Sequence, residues 1–164
     1  MSLVPAVAYK KEIEDWGNKL RYSKKMMMYN GCCEHGPMCI RDDWDNGDNY
    51  QWAIVDDDNN LVGYIAYKID HYAKVAYSFG LIGFEDNPAV MMQGILAAIR
   101  HVYLMDPIRV EFRCVYDNKA KRGYDGIVNK FSDRYDIYKH HLHYLFRDEQ
   151  GNYHDELIYE LVRK

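Results

Sequence analysis

Between Ala76 and Tyr124 the chain runs through an apolar strand ending in Leu81-Ile82-Gly83-Phe84, a short loop, a helix carrying Gly94, a second strand and then Asn118. A strand that stops at a glycine and feeds a helix N-terminus through a loop gathers unpaired backbone N–H groups and the positive end of a helix dipole. Chains hold phosphates and thioester carbonyls in this way. The stretch therefore predicts strand–helix–strand architecture with a grip for an acylated, phosphate-bearing carrier.

The flanking segments say what this unit is built into. Lys10 to Tyr29 predicts a helix or helix pair, because Ile13, Trp16 and Leu20 recur on one face while Glu12, Asp15 and Lys19 stay polar. Met26-Met27-Met28 adds an adaptable apolar patch. Asn30 to Asn49 is loop chemistry, with Gly31, Gly36, Pro37, Gly47 and many Asp and Asn. From Tyr50 the period changes to two: Tyr50 to Val55, a turn at Asp56-Asp57-Asp58-Asn59-Asn60, Leu61 to Ile69, and Lys74 to Phe84 predict an antiparallel meander. Pro88 suits a helix start, and Val90, Met91, Gly94, Ile95, Ala98, Ile99, Val102 and Tyr103 form a helical stripe up to Asp106-Pro107. Ile108 to Tyr116 predicts a strand, Asn118 to Phe131 a helix, and His141 to Arg147 a hairpin with Tyr153 to Val162 across a Gly-bearing loop. The whole predicts an α/β (α+β) fold: one mixed, mostly antiparallel sheet flanked by helices.

A chain of 164 residues buries one core, so the expectation is a single domain over 1–164, with a helical and loop part at 1–49 and the sheet at 50–164. The net charge of −4 argues against a nucleic-acid partner, which requires a basic face to displace counterions. No apolar run reaches the length that crosses a bilayer and the N-terminus lacks a secretory pattern, so no membrane partner and a cytoplasmic location are expected. The opening Met1-Ser2-Leu3 carries no fold signal and resembles a cloning remnant. Sixteen Tyr and three Trp supply large apolar areas with polar tips, a composition that suits a groove.

Two clusters invite a metal reading. Cys32, Cys33, His35 and Cys39 fall within eight residues, but adjacent cysteines rarely reach one ion and the usual paired spacing is absent. These thiols, with Cys114, read as reduced and structural. His141 and His143 share a strand face and could converge, with a partly exposed edge as the plainer reading. No metal cofactor is expected.

The order of elements, together with several residues, resembles the GNAT superfamily of acyl-CoA-dependent N-acyltransferases over roughly Tyr50 to Arg163. Three places carry the likeness: the strand Val75 to Phe84 with its loop and the helix at Gly94; Asn118-Lys119-Ala120 with Tyr124; and Gly151-Asn152-Tyr153-His154-Asp155 with Tyr159-Glu160-Leu161. The family's Gln/Arg-x-x-Gly-x-Gly/Ala signature is reduced here to Met91, Met92, Gln93, Gly94, Ile95 and Leu96. The resemblance implies a GNAT-like single domain and transfer of an acetyl group from acetyl-CoA to an amine by direct attack. It also implies a cofactor site at Met91, Met92, Gln93, Gly94 and Ile95, with Asn118 and Lys121 beside the phosphates. Backbone N–H groups of Leu81, Ile82 and Gly83 would hold the oxyanion, and Tyr124 would protonate the departing sulfur. A homodimer is common in the family.

Such a reaction needs a neutral amine. A lysine-like amine is only about one part in a thousand neutral at pH 7, so a site must offset roughly 4 to 5 kcal/mol by desolvation or a base. Glu111, Asp70 and His71 are the candidate bases and none is singled out; a water chain could serve instead. The acceptor, a small-molecule or peptide amine, is not named by the sequence, although Asp42, Asp43, Trp44, Asp45 and Asp48 in one loop suit a cation such as a polyamine, aminoglycoside or basic peptide end. The altered Met91 to Leu96 segment motivates a second expectation, a non-catalytic CoA-binding or protein-interaction member of the same fold. A metal-dependent binding module on the Cys32 to Cys39 loop is a third.

Overall fold

Apolar alternation and turn chemistry place seven strands of the described residues in one sheet. A computed structural model of the protein describes residues 2–20, 23, 38–43, 47–84, 87–148 and 150–164. In chain order these form β1 (Ser2–Pro5), a 3-10 turn at Ala6–Tyr9, α1 (Lys10–Leu20), β2 (Asn49–Val55), β3 (Leu61–Asp70), β4 (Val75–Gly83), α2 (Pro88–Leu104), β5 (Arg109–Val115), α3 (Lys121–Asn129), β6 (Tyr135–Arg147) and β7 (Tyr153–Arg163). The sheet order is β1-β2-β3-β4-β5-β7-β6. Every neighbouring pair is antiparallel except β4 and β5, which run parallel because α2 carries the chain back across the sheet.

The meander is held by its turns. Asp56 Oδ1 accepts from the Asp58 and Asn60 amides at 3.0 and 2.8 Å while Oδ2 accepts from Asn60 Nδ2 at 3.0 Å. Asp148 closes the β6–β7 turn with the same pattern, through the Gln150 and Asn152 amides and Asn152 Nδ2. In both, one short carboxylate replaces the backbone partners that a sharp turn strips away. Helix α2 begins where Asn87 Oδ1 accepts from the Val90 amide at 3.3 Å with Pro88 in the first position.

The sheet buries both faces of its first half. On one side α1 and the 3-10 turn place Ile13 and Ala6 over Ala53, Val55, Tyr64 and Ile82. On the other, α2 lays Ala98 and Val102 over Ile54, Ile65, Tyr67 and Ile69. The second half is covered by α3, whose Tyr124 and Val128 pack on Cys114, Leu157, Tyr159 and Leu161. Full burial of such aliphatic and aromatic side chains contributes about 1.5–3 kcal/mol each.

Two expectations change. The first residues form an edge strand that the sequence pattern did not predict: Ser2 and Leu3 pair with Val55 and Ile54. β6 starts at Tyr135, six residues before the predicted His141, because Ile137, Lys139 and His141 face α3 while Tyr138 and His140 face the other side, a full strand alternation. The predicted helix Lys10 to Tyr29 is seen as α1 to Leu20; Met26 to Met28 and Cys32, Cys33 and His35 lie outside the described residues. No helix of the described residues is long and apolar enough to cross a membrane.

Candidate active site

A bulge in β4 creates the site. Ala66 pairs with Gly80 and Lys68 with Tyr77, so β4 carries one extra residue opposite Tyr67, and Ser78 takes a positive φ of 53° there. A bulge of this kind bends and twists its strand. β4 and β5 are joined only through Val75–Arg109 and Ala76–Val110, after which β5 stays with β7 as far as Val115. The two halves of the sheet therefore part beyond Ala76.

The gap opens into a cavity of about 100 Å³. Phe79, Gly80 and Leu81 of β4, Val110 and Phe112 of β5, Ile95 and Ile99 of α2, and Tyr124 and Ile127 of α3 line it. Almost every group facing the space is hydrocarbon or aromatic, a lining that fits an alkyl or amide arm and repels free charge.

Tyr124 brings a polar group to the helix side of this lining. The helix positions its ring edge-on to Phe112, with centroids 5.9 Å apart. The side chain is 8% exposed, and its hydroxyl has no hydrogen-bond partner among the described residues. Burial, with the Cys114 thiol nearby, holds the phenol well above the usual tyrosine range, so it keeps its proton. An unsatisfied buried hydroxyl costs about 1–3 kcal/mol, a cost that calls for a functional explanation.

Strand alternation sorts the three oxyanion candidates. Phe84 N–H donates to Val62 O at 2.9 Å, and β3 pairs Ile82 with Tyr64 and Gly80 with Ala66. The amides of Gly80, Ile82 and Phe84 thus face β3, whereas those of Leu81 and Gly83 face the parted side. Ile82 differs from the other two: its amide is committed to the ladder and its side chain, 3% exposed, packs under α1.

The glycine of the reduced signature also serves a different purpose. Met91 N–H already donates to Asn87 O at 3.0 Å, so Met91, Met92, Gln93, Gly94 and Ile95 lie past the first turn of α2 and their amides bond within the helix. Gly94 faces the sheet, where an added Cβ would come 2.7 Å from Ile54 Cγ2. Met91 packs against Gly63 of β3, Met92 and Gln93 are exposed, and Ile95 alone of the five lines the cavity. Among the described residues, the helix N-terminus with unspent amides is at Asn87 and Ala89, seven and five residues earlier than the glycine suggested.

Asn118 and Lys121 shape the entry to α3. Asn118 is 3% exposed and its Oδ1 accepts from the Ala120 amide at 2.8 Å, while its carbonyl accepts from the Lys121 amide at 3.0 Å. Lys121 Nζ sits 4.1 Å from the Tyr116 ring centroid. Neither side chain lines the cavity.

The base candidates fall elsewhere. Glu111 is clamped between Arg109 and Arg113 at 2.7 Å each, on the sheet face away from α3. Asp70 accepts from the Ala73 amide in the β3–β4 turn, and His71 Nε2 meets Tyr50 Oη at 3.2 Å. In the acidic loop, Asp42 pairs with Lys10 and Asp43 with Arg41; Trp44 and Asp45 lie outside the described residues. Sequence reasoning missed Phe79, Ile99, Phe112 and Ile127, whose only signal was apolar alternation on elements that the bulge later separates.

Comparison with known proteins bears on the fold. No family model matches the sequence, and no curated protein matches it either. Among solved structures, a spermidine N-acetyltransferase from Vibrio cholerae in complex with CoA and spermine superposes with a TM-score of 0.66 at 12% identity, covering 99% of this chain and 95% of that one. A probable acetyltransferase superposes with a TM-score of 0.63 at 13% identity over 98% of this chain and 90% of that one. At this level of identity the likeness speaks to architecture: the parted mixed sheet with its flanking helices is the GNAT fold.

Proposed function

We propose that the protein is an N-acetyltransferase that moves an acetyl group from acetyl-CoA to an amine by direct attack. The observation that carries this reading is the buried, unpartnered Tyr124 hydroxyl beside the apolar gap between β4 and β5. A thioester arm lying in that gap would meet a phenol that still holds its proton, with the Leu81 amide on the opposite wall.

In that arrangement the neutral amine attacks the carbonyl carbon and a C–N bond forms. The carbonyl oxygen takes the electron pair, and the outward-facing β4 amides stabilise its charge. Collapse breaks the C–S bond, and Tyr124 gives its proton to the thiolate. The ammonium proton returns to the phenolate through water. No covalent enzyme intermediate is needed, which agrees with Cys114 lying buried in the α3 core rather than in the gap.

The anionic end of the carrier would rest at the true start of α2, near Asn87 and Ala89, where the dipole and unspent amides favour phosphate. The Vibrio cholerae acetyltransferase described as a complex with CoA and spermine makes small amines the first acceptors to try. Thiol release from acetyl-CoA across a panel of polyamines, aminoglycosides and peptide N-termini tests the reading. Absence of both thermal protection by millimolar CoA and thiol release with any acceptor would overturn it. A binding-only role, favoured by the altered Met91 to Leu96 segment, would instead give protection by CoA without turnover.

A further inference from the structure

We propose that His141, His143 and Asp155 form a binding site for a divalent late transition-metal ion on the β6–β7 hairpin. The register pairs His141 with Leu157, and beyond Leu142 it slips so that Phe146 meets His154. β6 therefore carries two extra residues at this point, and Tyr144 within the bulge takes a positive φ of 56°. Strand alternation puts His141, His143 and Asp155 on one face, and the bulge draws them together.

The result is three ligand atoms of mixed type within 4.8 Å of one another. Asp155 Oδ2 lies 2.7 Å from His141 Nε2 and 2.9 Å from His143 Nδ1. The other carboxylate oxygen, Oδ1, accepts the Tyr144 amide at 3.0 Å, which fixes the carboxylate and leaves Oδ2 directed at both rings. His141 is oriented in turn by stacking on Tyr116, with centroids 4.0 Å apart and planes within 13°. Outer contacts that hold ligands in place are what a metal site requires besides the ligands themselves.

The donor set selects the ion class. Two imidazole nitrogens and one carboxylate oxygen suit zinc, cobalt, nickel or copper, whereas magnesium and calcium prefer all-oxygen shells. Zinc binds such ligands at about 2.0–2.2 Å and tetrahedrally, which separates them by about 3.4 Å; the two carboxylate–imidazole contacts at 2.7 and 2.9 Å open by about 0.5–0.7 Å, and all three ligand atoms already lie within 4.8 Å of one another. The side chains are accessible, His141 at 37%, His143 at 66% and Asp155 at 27% exposure, so an ion enters from solvent and water completes its shell. A bound ion would join the two strands across the bulge and, through the Tyr116 stack, brace the loop that leads into α3.

Zinc titration of the full chain by calorimetry, with cobalt absorption spectroscopy in parallel, tests this site. The expected result is one zinc per chain with a micromolar Kd, undisturbed by millimolar magnesium and weakened by at least about tenfold in His143→Ala. Cys32→Ser, Cys33→Ser and Cys39→Ser should leave binding unchanged, and bound cobalt should show visible d–d bands without a near-ultraviolet thiolate band. Asp155→Asn serves as a second variant, with circular dichroism confirming that the hairpin still folds. Equal zinc affinity in folded His143→Ala, no binding below millimolar zinc, or a cobalt–thiolate band would each overturn the proposal.

Discussion

Ala76 and Val110 form the final backbone pair between β4 and β5, and the extra residue at Ser78 follows two positions later on β4. The order matters. The strands are joined at the end where α2 returns, and the bulge turns β4 away just beyond it, so the gap has one closed end and one open one. Everything assigned to the candidate site depends on that junction and on what α2 and α3 place over it.

Tyr124→Phe separates chemistry from packing. Deleting a hydroxyl that has no partner leaves the ring contacts with Phe112 intact and should hold or raise stability, by about 1 kcal/mol at most. Under the proposed reaction kcat should fall by about 10²-fold while CoA affinity stays within about twofold. Paired thermal melts and thiol-release kinetics check this, and an unchanged kcat would remove Tyr124 from the mechanism.

Gly94→Ala should act on the core. The new methyl would meet three atoms of the Ile54 side chain at 2.7, 2.8 and 2.9 Å, and a β-branched residue in a strand cannot swing clear. Overpacking of this kind costs about 1–3 kcal/mol, against a helix-propensity gain of about 1 kcal/mol. Urea denaturation should show net destabilisation that Ile54→Ala partly relieves in the double variant. A large loss of CoA affinity in a fully stable Gly94→Ala protein would instead return this glycine to the cofactor site.

Tyr67→Phe tests a buried polar network on the α2 side. Tyr67 is fully buried, its hydroxyl accepts from Trp52 Nε1 at 3.1 Å and lies 2.7 Å from His101 Nδ1. Burial pushes this phenol well up, so the group stays neutral across the working range. Removing the oxygen takes away the indole N–H's contact at 3.1 Å together with the one to His101 and should cost about 1–3 kcal/mol by chemical denaturation.

The Asp148 turn predicts a pH dependence with a definite sign. Hydrogen bonds from the Asn152 side chain, then from His154 and the Asn152 and Gln150 amides, hold this carboxyl well below the usual range. A group whose folded value is depressed adds stability above its unfolded value, about 3.9, and loses it as pH falls toward the folded value. Wild type should therefore lose stability between about pH 4 and pH 2 more steeply than Asp148→Asn. Denaturation curves at pH 7 and pH 3 for both proteins check it; equal acid slopes would show that the turn does not depend on this carboxylate.

Much of this protein can be read one short segment at a time. Asp56 and Asn60 foretell their turn because a carboxylate four residues before an Asn can satisfy the amides between them, and Pro88 foretells a helix start because it needs no donor there. The strands of the meander follow from side chains alternating between two buried faces. Gly94 shows the reach of local reading: a glycine near a helix start suggests a phosphate loop, while helical rotation turns this one toward Ile54.

Composition and spacing by themselves determined the element types, most of their order and the mixed sheet, since each of those depends on residues within a turn or a strand of one another. Only the tertiary structure decided which amides of β4 face the gap, that Tyr124 keeps an unpaired hydroxyl beside it, and that Asp155 meets His141 and His143. Those outcomes depend on a one-residue bulge in β4 and a two-residue slip in β6, and the residues of one strand do not encode a register that is settled only where two strands pair and pack beneath a helix.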